Sequence, residues 1–139
     1  MAAASTKIAH LAAVPLFSSC SRRDLQKIAA ASDEVTFKAG RVLVEQGKIG
    51  HEFFLIVEGQ AVVRRNGRKV ATLSAGQYFG ELALLTKAPR DATVTADTNM
   101  VMLVLGQREF LGVLDDVPGL ALRLLRYLAE RLRAVESSI

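Results

Sequence analysis

Gln77-Tyr78-Phe79-Gly80-Glu81-Leu82-Ala83-Leu84-Leu85-Thr86-Lys87-Ala88-Pro89-Arg90-Asp91-Ala92-Thr93-Val94 decides how this chain is read. Strand-like sequence lies on both sides of it, yet residues 81–85 are good helix formers with no β-branched side chain among them. A helical turn set inside a β region needs a reason. Gly80 permits a tight entry to that turn, Glu81 complements the positive helix start, and the N–H groups of Leu82 and Ala83 are left pointing outward. Backbone donors so placed suit an anion.

Arg90 follows ten residues after Gly80, behind Pro89 and just ahead of the apolar run at 92–96. The return loop is short, so the guanidinium can meet the same helix start with a planar fork of donors matched to phosphate oxygens. Glu81 is too close to such an anion to be its ligand and is suited to accept from a hydroxyl. A phosphate with a sugar hydroxyl beside it would satisfy both side chains. A structural ion pair of Arg90 with Glu81 or Asp91 is the ordinary alternative, and the glycine and loop pattern weighs against it.

Outward from this segment, short apolar or alternating runs at 42–44, 53–57, 60–63, 70–73, 92–96 and 100–105 predict strands at the close spacing of an all-β sandwich or barrel. Asn66-Gly67, between Val63 and Val70, predicts a type I′ hairpin turn, which needs positive φ at both central residues. Arg64, Arg65, Arg68 and Lys69 at its tip read as a solvated hairpin end. Ile8, Leu11 and Ala12, then Leu25, Ile28 and Ala29, fall at helical spacing around the Pro15 break and a Ser21 cap. Beyond the strands, 107–114 predicts a short helix. Pro118 then opens a longer one to about residue 135, with Leu120, Leu124, Leu128, Leu132 and Val135 as its docking face. The expected layout is one domain over 1–139: helices at about 7–30, strands at about 34–105, helices at about 107–136.

The composition narrows the function. Half of the 139 residues are apolar and 23% are charged, which supplies a core and argues against disorder. The net charge of +4 is small and scattered, so no nucleic-acid platform is expected. One cysteine, Cys20, excludes an internal disulfide framework and a cysteine zinc cage and fits a reducing, cytoplasmic setting. The 16–20 stretch ending at Cys20 lacks the charged leader of a lipoprotein signal, and no apolar run approaches the roughly 20 residues of a bilayer span. His10 and His51 are too far apart to supply a clustered metal site. No nucleophile elbow, Ser/His/Asp grouping or acid pair stands out, so neither a catalytic nor a metal residue is assigned.

Phe79-Gly80-Glu81-Leu82-Ala83-Leu84-Leu85 followed by Pro89-Arg90-x-Ala92-Thr93-Val94 closely resembles the phosphate-binding cassette of the cyclic-nucleotide-binding domain family. The similarity extends to Pro15-Leu16-Phe17, Gly40, Glu45-x-Gly47, Phe54-x-Ile56-Val57-x-Gly59, Gly76 and the closing helix pair. Order and spacing together make it specific where a lone Gly-Glu pair would not be.

The resemblance implies a mainly β fold with flanking α: an eight-stranded β-roll of jelly-roll type, short N-terminal helices, an internal cassette helix and C-terminal helices. It also implies roles. Arg90 would neutralise a cyclic phosphate, Glu81 would accept from the ribose 2′-hydroxyl, and N–H groups around Gly80, Leu82, Ala83 and Ala92 would complete the cradle. The base would lie against Val62 or Leu73 under a cap from Leu128 or Leu132. The implied ligand is a cyclic mononucleotide, cyclic AMP ahead of cyclic GMP, with no cofactor. The implied function is a non-catalytic regulatory domain whose C-terminal helices move with occupancy and act on an effector domain or protein, without contact to nucleic acid or membrane.

Asp91 departs from the pattern, because the family usually carries Ala, Ser or Thr there, and a hydroxyl at that position goes with cyclic GMP preference. Two unit charges about 4 Å apart repel by about 1 kcal/mol in water and by several times that at lower dielectric. Asp91 therefore weakens anion binding unless it pairs with Arg90 or the base, or turns away so that only its N–H serves. A family member that has lost its ligand and holds a protein partner is the alternative function. A DNA-binding regulator is disfavoured, since the roughly twenty residues after Pro118 make one helix and leave no room for a helix-turn-helix.

Overall fold

The computed structural model describes the backbone of residues 2–137 and the side chains of residues 6–134 other than Leu82 and Ala83. It opens with α1 (Ala2–Ala12), a 3₁₀ turn (Pro15–Phe17) and α2 (Arg22–Ala31). Six strands follow: β1 (Asp33–Phe37), β2 (Val42–Val44), β3 (Glu52–Glu58), β4 (Ala61–Arg65), β5 (Arg68–Leu73) and β6 (Tyr78–Phe79). The short helix α3 (Glu81–Thr86) precedes β7 (Thr93–Ala96) and β8 (Met100–Gly106), and α4 (Gln107–Asp116) and α5 (Leu120–Ser137) close the order.

Two four-stranded antiparallel sheets result, ordered β1-β8-β3-β6 and β2-β7-β4-β5. β3 and β8 lie at the centre of the first because both of their faces are apolar. Alternation sends Phe54, Ile56, Met102 and Val104 into the space between the sheets, and Phe53, Leu55, Leu103 and Leu105 into a second cluster under the helices. That second cluster takes Leu11 of α1, Leu25 and Ile28 of α2, Phe110 and Val113 of α4, and Leu120 and Leu124 of α5. The helices are thus held by the outer face of one sheet, while the other sheet is free to line a cavity.

The mainly β architecture with flanking helices agrees with the sequence reading, and the differences have local causes. β1 carries only Val35 and Phe37 as apolar residues and lies at a sheet edge beside β8, so its sequence gave little strand signal. β6 is two residues long, too short for any periodicity. Asn66 and Gly67 have φ of 53° and 79°, the left-handed pair that the hairpin requires. Ser21 and Asp24 form a reciprocal capping box at the start of α2. α5 starts at Leu120, two residues after Pro118, and Leu120, Leu124 and Leu128 dock on the core while Leu132 is 59% exposed. The Val135 side chain lies outside the described residues.

Candidate functional site

α3 interrupts the second half of the roll where the sequence placed it. Gly80 caps it with φ of 100°, and a Cβ there would come 2.7 Å from the Glu52 carbonyl oxygen and 2.9 Å from Arg90 Nη1. Both the backbone angle and the space therefore require glycine. Leu84 closes the first turn by donating to the Gly80 carbonyl at 3.4 Å. Leu82 and Ala83 belong to that turn, and their side chains are not among the described ones.

Arg90 returns to the same point and is only 6% exposed. Its Nη1 donates to the Gly80 carbonyl at 3.0 Å and its Nη2 to the Glu52 carbonyl at 2.7 Å, while Nε–H is buried with no acceptor among the described residues. Burial pulls its pKa down from the usual arginine value, with Glu52, Glu81 and Asp91 opposing. Among the described residues no carboxylate pairs with it, since Glu81 pairs with Arg131 at 3.2 Å and Asp91 with Arg65 at 3.5 Å. The structural ion pair weighed from sequence is therefore absent among these residues. A buried cation without a carboxylate partner is an arrangement that an anion completes.

Glu81 is 2% exposed, and burial pushes its carboxyl above the usual range, against the opposing pull of its own backbone N–H and of Arg131. Tyr78 has a buried hydroxyl with no hydrogen-bond partner among the described residues, and burial raises its pKa well above the ordinary phenol range. Its ring lies 5.0 Å from that of Tyr127, over which the Arg131 guanidinium sits at 5.5 Å.

These groups line one cavity of about 420 Å³, of the size that holds a small ligand. Gly80, Glu81, Arg90, Asp91 and Ala92 edge it on the cassette side, Val63, Val70, Ala71 and Leu73 form its sheet wall, and Tyr127 and Arg131 reach it from α5. Val62 does not line it. Alternation along β4 turns Val63 to the cavity instead. Leu128 packs on the helix-side core and Leu132 faces outward, and the α5 residues that line the cavity are Tyr127 and Arg131, one residue earlier on each turn. Neither Leu128 nor Leu132, expected over the base, lines the cavity. Arg65, exposed as expected of a tip residue, also reaches Asp91. An i, i+4 spacing of an aromatic and an arginine on α5 was the signal available for the Tyr127 and Arg131 pair.

Comparison with known proteins agrees with this geometry. The family model described as Cyclic nucleotide-binding domain matches residues 34–116. The cAMP-dependent protein kinase regulatory subunit of Schizosaccharomyces pombe is 43% identical over 98 residues, covering 70% of this chain and 24% of that protein. The chain spans about a quarter of the length of the curated relatives it matches. Among solved structures, the regulatory domain of Toxoplasma gondii PKA with cAMP superposes with a TM-score of 0.82 at 27% identity, covering 93% of this chain and 51% of that one. The Thermus thermophilus catabolite activator protein gives 0.83 at 26% identity, covering 89% and 61%. A cassette helix framed by Gly80 and Arg90, set in a two-sheet roll and matched by the family model over more than half its length, makes this chain a member of the cyclic nucleotide-binding domain family.

Proposed function

We propose that residues 1–139 act as one non-catalytic regulatory unit that binds a cyclic mononucleotide, cyclic AMP first, in the cavity between α3, the β4–β5 sheet and α5. The observation that carries this is the Arg90 guanidinium, buried at the cavity wall with no carboxylate partner among the described residues. Arg90 takes the ring phosphate, and Gly80, Leu82, Ala83 and Ala92 supply backbone around it. Glu81 takes the ribose hydroxyl, Leu73 with Val63 supports the base, and Tyr127 covers it. Relatives named as regulatory subunits of a cAMP-dependent kinase support cyclic AMP as ligand and a protein kinase as the effector class.

Occupancy acts on α5, because Tyr127 and Arg131 touch the cavity while Leu120 and Leu124 of the same helix are anchored in the core. A ligand that favours one placement of that helix shifts its population. Cytoplasmic residence fits the single half-buried cysteine, and no helix among the described residues is long and apolar enough to cross a membrane. Isothermal titration with cyclic AMP and cyclic GMP tests the reading: binding heat that Arg90→Ala abolishes is expected, and no heat with either nucleotide overturns it. The interaction-module reading has one observation in its favour, the acid Asp91 directly after Arg90, and it predicts no melting shift at millimolar nucleotide. A true ligand at 100 times its Kd adds about 2.7 kcal/mol.

A further inference from the structure

We propose that Arg65, at the tip of the β4–β5 hairpin, belongs to the ligand site as the residue that masks the charge of Asp91, so that Arg90 faces an incoming phosphate without a bare carboxylate beside it. This rests on the nucleotide reading of the cavity given above.

Asp91 follows Arg90 directly and lines the same cavity. Its charge is felt by both groups of the site, raising the Glu81 carboxyl and acting on Arg90. An unmasked carboxylate at that position opposes any anion that Arg90 attracts. Arg65 holds residue 91 at two points: Nε donates to the Asp91 carbonyl at 3.2 Å, and Nη2 lies 3.5 Å from Oδ2. The two side chains are 51% and 68% exposed, so the pair adds little to folding stability. Its position at the cavity gives it another use.

The hairpin tip is anchored for this. The Gln46 side-chain Nε2 donates to Asn66 Oδ1 at 2.9 Å, the Asn66 N–H donates to Gln46 Oε1 at 2.8 Å, and the Gln46 N–H donates to Thr93 Oγ1 at 2.9 Å. Thr93 lies two residues beyond Asp91, so the turn that carries Arg65 is tied to the strand that follows the cassette. Of the basic tip residues, Arg64, Arg68 and Lys69 form no ion pair among the described residues and do not line the cavity. Arg65 does both.

The experiment titrates cyclic AMP calorimetrically into the full chain and into Arg65→Ala, Asp91→Asn and the double variant, with melting curves to check that each is folded. Arg65→Ala should bind about 5- to 30-fold more weakly, the range that one unscreened like charge near an anion produces. Asp91→Asn should bind at least as tightly as the unaltered chain, and the double variant should return to within about twofold of Asp91→Asn, because with no charge to mask Arg65 has no further role. The Arg65→Ala deficit should also shrink in about 1 M salt, where exposed charges are screened within about 3 Å. Equal affinity of Arg65→Ala and the unaltered chain overturns the masking role, and so does a double variant as weak as Arg65→Ala. No binding by the unaltered chain overturns the nucleotide reading itself, and the masking role with it.

Discussion

Arg131 donates from Nη1 to Oε1 of Glu81 across 3.2 Å, tying the last helix to the first residue of α3 through a carboxylate that is 3% exposed. The two residues are fifty positions apart in sequence. Glu81 belongs to the cassette and Arg131 to the helix that lines the cavity from the other side, so this contact joins α5 to the cassette.

Arg131→Ala cuts that link and leaves Glu81 buried without its partner. Half of the arginine is exposed, so the loss is smaller than for a fully buried pair, about 1–2 kcal/mol. Hydrogen exchange along α5 should speed up around residues 127–134 and remain unchanged in β3 and β8, which do not depend on the link. Unchanged exchange in α5 would show that the core leucines alone hold the helix.

Tyr127 and Leu128 are adjacent on α5 and do different work. Leu128 packs against the helix-side core, so Leu128→Ala should cost about 1–3 kcal/mol of stability and little affinity. Tyr127 lines the cavity and pairs with the Tyr78 ring, so Tyr127→Ala should lower nucleotide affinity by about 3- to 10-fold, the worth of one aromatic contact, for a smaller drop in melting temperature. Paired melting and titration of the two variants separates them. The reverse pattern would return the cap to the leucine face.

Gly50 lies in the loop before β3, and a Cβ there would run into the Nε, Nη2 and Cζ atoms of Arg90. Its own backbone angle is not left-handed, so the conflict falls on the arginine and not on the loop. Gly50→Ala should therefore push the guanidinium off the Gly80 and Glu52 carbonyls. Nucleotide affinity should fall about tenfold or more, the loss of one or two charge-assisted hydrogen bonds, with a smaller change in melting temperature. Retained affinity would mean that Arg90 finds its geometry without the space that Gly50 leaves.

The cassette was legible because its signals are local: a helix-forming run bounded by Gly80, and an arginine behind a proline, are read within eighteen consecutive residues. The helix-side and sheet-side faces of β3 were legible as one apolar run but not as two destinations, since Phe53 and Phe54 differ only in the direction that the pleat gives them. The same one-residue ambiguity chose Val62 over Val63 and Leu128 over Tyr127. A periodicity finds the face that meets the core, and on α5 the cavity meets the neighbouring face. Arg65, Arg131 and Gly50 were out of reach for a different cause, because their partners lie 26, 50 and about forty residues away. Only the closure of the two sheets brings them together.

Glu81 also sets a dependence on pH. Burial disfavours its charged form, and this outweighs the lowering by its own N–H and by Arg131, so its folded-state pKa stands above the value of about 4.3 in an unfolded chain. A carboxyl raised in this way adds stability that is fully present below the unfolded value and is lost as pH rises through the folded one. Glu81→Gln keeps the shape and removes the titration. Melting curves of the two proteins between about pH 4 and pH 8 should therefore diverge as pH rises, with the glutamine variant gaining on the parent toward neutrality. Arg131 limits the gain, so the divergence should widen when both proteins also carry Arg131→Ala. A gap that narrows with rising pH would mean that pairing with Arg131 outweighs burial and that the Glu81 carboxyl lies below its ordinary range.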